Sequence, residues 1–198
     1  FKGELNGGND FDTGGILGRS NGMSFEDCFA KGNITGDDIW NAGIIRTVGN
    51  SVNSDGNSIR NVYSAISFYD TNGGDLINSP IGYASGSGGD PNPELNNIYW
   101  DSDLSNSANY YESRDAGYTP YSDNGTNAAV NSEGLSTSVL ASSSALSKSG
   151  LDSSTIWGQN DAINDGYPYL KGWMDFGLSS STIDDKITRG DEVGNFIF

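Results

Sequence analysis

The densest run of oxygen ligands in the chain begins at Asp101 and reads DSDLSNSANYYE. Asp101, Asp103, Ser105, Ser107, Asn109 and Glu112 stand at the ligand offsets of a calcium-binding loop. Such a loop turns at a central glycine. Here Asn106 holds that place, and asparagine can enter the left-handed conformation the turn needs. The flanks do not read as a helix pair, so an ordinary strand ending competes with calcium. No other cofactor is expected. DTNGGD from Asp70 and DPNPE from Asp90 are explained by side-chain-capped turns. Asp37 and Asp38 could serve as acid and base in glycoside cleavage, which needs two carboxyls close together. Neighbouring residues on a strand face opposite ways, so the pair would have to lie in a turn. A plain surface turn is the expected role.

The remaining chemistry is limited by what the chain lacks. It has no histidine, which removes imidazole bases and the usual zinc sites. Its one cysteine, Cys28, forms no intrachain disulfide and reads as a small apolar filler. Tyr110, Tyr111, Tyr118, Tyr121, Tyr167, Tyr169, Trp100 and Trp173 could stack on sugars or line a protein interface. Packing within a cap is the simpler role. Asn33 (NIT) and Asn124 (NGT) are N-glycosylation sequons, meaningful for an exported chain. The net charge is −16, which repels phosphate and argues against nucleic acid and anionic lipid as partners. No apolar run reaches the length of a membrane-spanning helix. An enzyme is not expected.

The elements that would position these residues follow from self-similarity along the 198 residues. KGELNG (2–7) recurs as KGNITG (31–36). GGILG (14–18) recurs as AGIIR (42–46) and, more weakly, as SPIGY (79–83). SFEDCFAKGNI from Ser24 recurs from Ser58 and again from Glu94. Aligning the last phrase gives four apolar columns: Phe25–Ile59–Leu95, Cys28–Val62–Ile98, Phe29–Tyr63–Tyr99 and Ile34–Phe68–Leu104. Leu5 joins the fourth. A repeat of about thirty to thirty-six residues with one apolar set per copy suits a stack of coils sharing a core. Gly, Asn and Ser between aromatic and β-branched residues favour strands over helices.

The expected fold is therefore all-β, a parallel β-solenoid or β-helix over residues 1–104. Residues 105–173 read as a loop, a short helix and an aromatic cap of the same domain. Within them, LSTSVLASSSALSKS (135–149) places its apolar residues at helical spacing, and one more coil is the alternative. GYPYL (166–170) and Trp157 could seal the open end of the core. Residues 174–198 are a tail ending in VGNFIF. Leu5 at one end, and Val193, Phe196, Ile197 and Phe198 at the other, are candidates for contact with a neighbouring copy or a flanking domain by strand addition.

On these phrases the chain resembles surface proteins carrying GLUG motifs. Their repeats read like GGLVG…I.NSYATGNVSG, and their last repeat runs through YWD, a Leu-Thr-rich segment and a Trp to a GYPYL closure. GGILG at 14–18, CFAKGNITG at 28–36, NIYWDSD at 97–103, LSTSVL at 135–140, Trp157 and GYPYL at 166–170 match in that order. Arg46 in place of the closing Gly, and Pro80 before Ile81, depart from the pattern. The resemblance implies an extracellular or cell-surface location and a structural or adhesive role. It brings no catalytic residues. Partners would be copies of the chain, flanking domains or surface glycans.

Overall fold

The computed structural model describes residues 1–6, 13–21, 23–36, 41–49, 58–70, 79–84, 94–105 and 131–174. Strands dominate them, and the fold is all-β. In chain order they are β1 (Lys2–Asn6), β2 (Thr13–Gly14), β3 (Leu17–Asn21), β4 (Ser24–Gly36), β5 (Asn41–Ala42), β6 (Ile45–Gly49), β7 (Ser58–Asp70), β8 (Ile81–Ala84) and β9 (Glu94–Asp101). A helical turn α1 (Ser102–Ser105) follows, then β10 (Glu133–Leu135), α2 (Thr137–Leu140), β11 (Trp157–Gly158) and β12 (Tyr169–Leu170).

Like pairs with like. The principal sheet has the order β1-β4-β7-β9-β10, all parallel. A second parallel sheet runs β3-β6-β8, and β2 pairs with β5. The expected columns are ladder partners: Phe25↔Ile59↔Leu95, Cys28↔Val62↔Ile98, Phe29↔Tyr63↔Tyr99 and Leu5↔Ile34↔Phe68. Lys2↔Lys31 and Gly3↔Gly32 set the KG phrases side by side. A Cβ on Gly32 would lie 1.7 Å from the Gly3 carbonyl oxygen, so only glycine lets the two backbones approach there.

Two expectations shift. Ile81 pairs with Ile45, so the third copy of the GGILG phrase sits one residue earlier than the alignment SPIGY–AGIIR places it. In a strand that slip would move every side chain to the other face. The fourth column also stops at Phe68. Leu104 has left the sheet in α1, because the Asp101 carboxylate accepts from the backbone N–H of Asp103 (3.0 Å) and Leu104 (3.1 Å) and starts a turn.

Alternate residues of the principal sheet feed two cores. Ala30, Ile34, Ile59, Val62, Ile66, Leu95 and Ile98 face Ile44, Ile45 and Ile81 of the smaller sheets. Phe29, Tyr63, Ala65 and Tyr99 face the segment 135–167, with Leu135, Leu140, Ala145, Leu151, Trp157 and Tyr167. Both faces of β7 are thus covered over Val62–Ile66, all five of which are buried, as expected of a parallel strand between two layers. Phe25 and Cys28 are only half-buried. The ladder between β1 and β4 ends at the row of Lys31, so its pairing covers Ile34 and stops short of Phe25 and Cys28; next to Cys28 the Phe1 ammonium donates to the Phe29 carbonyl at 2.8 Å. Residues 135–149 do not form one amphipathic helix. They begin in β10, which extends the principal sheet, and continue as α2 and a 3-10 turn at Ser143–Ser147.

Candidate functional site

Asp101, the first residue of the expected calcium loop, is fully buried at the end of β9. Its carboxylate accepts from four donors: the N–H groups of Asp103 and Leu104, the Thr137 hydroxyl (2.8 and 2.9 Å) and the Tyr167 hydroxyl (2.7 Å). A buried carboxylate is tolerated when its lone pairs are occupied in this way. Asp103 is exposed and accepts from the N–H of Thr137 at 2.9 Å. Ser105 is buried. Ser107, Asn109 and Glu112 lie outside the described residues, as do Asp37, Asp38, Asn124, Val193, Phe196, Ile197 and Phe198. Among the described residues, no group of three or more His, Cys, Asp or Glu is placed to hold a metal ion. Asp101 and Asp103 instead fasten the start of α2 to the end of β9.

The aromatic residues of the expected cap are brought together, but against the flank of the sheet rather than across the end of the first core. Tyr63 is the centre. Phe29 stacks on it at 5.2 Å and 5°, Tyr167 at 6.3 Å and 13°, and Trp157 tilts against it at 5.9 Å. The Tyr63 hydroxyl donates to the Pro168 carbonyl (2.6 Å) and accepts from the Asn164 amide (2.9 Å). Tyr99 donates to the Ser149 carbonyl at 2.9 Å. Burial pushes the Tyr63 phenol well above its ordinary range and that of Tyr99 up to about 12. Tyr167 is raised by burial and by its bond to the Asp101 carboxylate. Lys31 packs over the Tyr167 ring at 5.1 Å and ion-pairs with Asp165. Trp100 is buried and Tyr169 half-buried. Tyr110, Tyr111, Tyr118, Tyr121 and the side chain of Trp173 lie outside the described residues.

One column escapes a search for apolar repeats. Asp27, Asn61, Asn97 and Asn131 all have φ between 52° and 55°, at equivalent points of β4, β7 and β9 and just before β10. Asp and Asn enter this left-handed region more readily than other side chains. One such residue turns the chain so that Phe25 and Cys28, three apart, both meet the same core. The side chains link across neighbouring strands: Asn97 donates to the Asn61 oxygen at 2.7 Å, and Asn61 to Glu26 at 3.3 Å. Trp157 donates to Asp27 at 3.1 Å. The signal was present in the sequence as an Asp or Asn two residues after the first apolar position of each long phrase.

Asn33, the first sequon, is half-buried in β4 between Glu4 and Ser67. Leu5 is half-buried against the first core. Glu94, from the DPNPE run, is ion-paired with Arg60. Among the described residues no helix is long and apolar enough to cross a membrane. No family model, no curated protein and no solved structure matches the chain.

Proposed function

We propose that the chain is a parallel β-solenoid of degenerate repeats, akin to GLUG-motif surface proteins, and that its role is structural or adhesive in a secreted or cell-surface protein. One observation supports this reading above others. The repeated phrases pair parallel and in register across the principal sheet. A fold extended by adding copies of one phrase is suited to building length and flat faces. The carboxylate best placed for chemistry, Asp101, is occupied in holding two elements together, and no catalytic residue is assigned.

Attachment of inert beads carrying the folded chain tests the role. Coated beads are expected to adhere to one another or to a cell layer more than beads carrying a Val62→Asp control. Equal attachment of both, together with a strictly monomeric chain in light scattering at high concentration, would remove the adhesive and assembly roles.

A further inference from the structure

The layer formed by residues 135–167 covers only part of the outer face of the principal sheet. It rests on the rows of Phe29, Tyr63 and Tyr99, and its edge is marked by the Lys31–Asp165 ion pair. Beyond that edge the alternation of β1, β4 and β7 brings further outer-face residues into line. Glu4, Asn33 and Ser67 form one row of ladder partners, and Thr35 with Tyr69 the next. Glu4 is exposed, and Asn33, Thr35 and Ser67 are half-buried. Tyr69 is 55% exposed, whereas Tyr63, six residues earlier on the same face, is fully buried.

We propose that this end of the sheet, uncovered among the described residues, is a binding platform for a neutral, extended glycan, with Tyr69 as the stacking residue. An exposed phenol ring offers an apolar face and a polar tip, which suits the C–H face and hydroxyls of a pyranose. Asn33 supplies donors and an acceptor, Ser67 and Thr35 supply hydroxyls, and Glu4 accepts. Strands about 4.8 Å apart present these groups at regular intervals along a line crossing the sheet. The groups are held by ladder pairing rather than by loops, which keeps them aligned before binding. Among the described residues the patch sets one aromatic side chain, Tyr69, in a polar field, unlike the apolar centre of a protein interface. Glu4 and a net charge of −16 disfavour an acidic polymer. This inference adds a ligand site and does not depend on the structural role proposed above.

Titration calorimetry of the intact chain with cellohexaose, xylohexaose and chitohexaose tests it. At least one is expected to bind. Tyr69→Ala is expected to weaken that binding about tenfold or more, while Tyr69→Trp retains it. Asn33→Ala serves as a second variant on the same patch and is expected to weaken binding too. Tyr69 is exposed and Asn33 half-buried on the outer face, so melting and circular dichroism are recorded for both variants and are expected to stay close to those of the parent chain, which separates loss of the site from loss of the fold. Absence of binding by all three oligosaccharides, or equal binding by Tyr69→Ala and the parent, would overturn the proposal.

Discussion

At the scale of single residues, Asp101 is the most consequential polar group described. It lies where a calcium ligand was expected, yet its oxygens already accept from Tyr167, Thr137 and two backbone N–H groups. Truncation would leave those donors buried and unpaired. Asp101→Ala is therefore expected to cost about 3 kcal/mol in denaturant unfolding, since bonds to a charged group are each worth about 1.5–3 kcal/mol. Excess chelator is expected to leave the melting temperature of the parent chain unchanged; a clear drop would restore a metal to the loop, because a bound ion stabilises the native state. Gly150 is a second test. Its φ is +78°, and a Cβ there would lie 2.0 Å from the Asn61 side-chain oxygen. Gly150→Ala should destabilise by about 1–3 kcal/mol, from backbone strain and the disturbed Asn61–Asn97 bond. A melting curve superimposable on that of the parent would refute the close packing of the 149–151 turn on the asparagine column.

At the scale of elements, β7 carries the architecture. It pairs with β4 and β9 and is covered on both faces over Val62–Ile66. Val62, fully buried, sits mid-column between Cys28 and Ile98. Val62→Asp places an unpaired charge in the first core, at an expected cost above about 4 kcal/mol. Loss of the cooperative unfolding transition is the expected outcome, and parent-like melting would mean that the register is wrong. This register was legible in the sequence, because a parallel ladder of like phrases needs only the phrases to be recognised. The exception is SPIGY, where Pro80 takes the place of Ile44: its carbonyl accepts from the N–H of both Ile44 and Ile45, as the Ile44 carbonyl accepts from Ile16 and Leu17.

At the scale of the whole molecule, three phenols join the sheet to its covering layer. Tyr63 and Tyr167 stack across the interface, and Tyr99 bonds to the Ser149 carbonyl. All three bind their protons more tightly in the fold than the ordinary phenol value of 10 allows. The stabilisation this represents is complete below about pH 10 and is lost as the pH rises through the folded values, about 12 for Tyr99. An alkaline transition is expected in which tyrosine ionisation and loss of near-ultraviolet circular dichroism coincide. Gradual ionisation from pH 10 with no structural change would show that the layer does not bury these rings.

The sequence alone determined the strand content, the repeat phrases and the ladder partners of the principal sheet from Leu5 to Tyr99, because each follows from short-range chemistry repeated along the chain. A column of like residues is visible without knowing where the chain travels between the strands. It did not determine what lies over the sheet. Whether GYPYL closes the end of one core or covers the flank of the sheet depends on where the chain returns after a long separation in sequence, and both placements bury the same rings. The local role of Asp101 was not legible in its spacing for a related reason. Oxygen-rich spacing is shared by metal loops and by capped turns, and here Thr137 and Tyr167, distant in sequence, supply the donors that make the carboxylate a fastening. Nor could the sequence separate Tyr63 from Tyr69. They lie on the same face of one strand, and the reach of the covering layer alone leaves one buried and the other open to solvent.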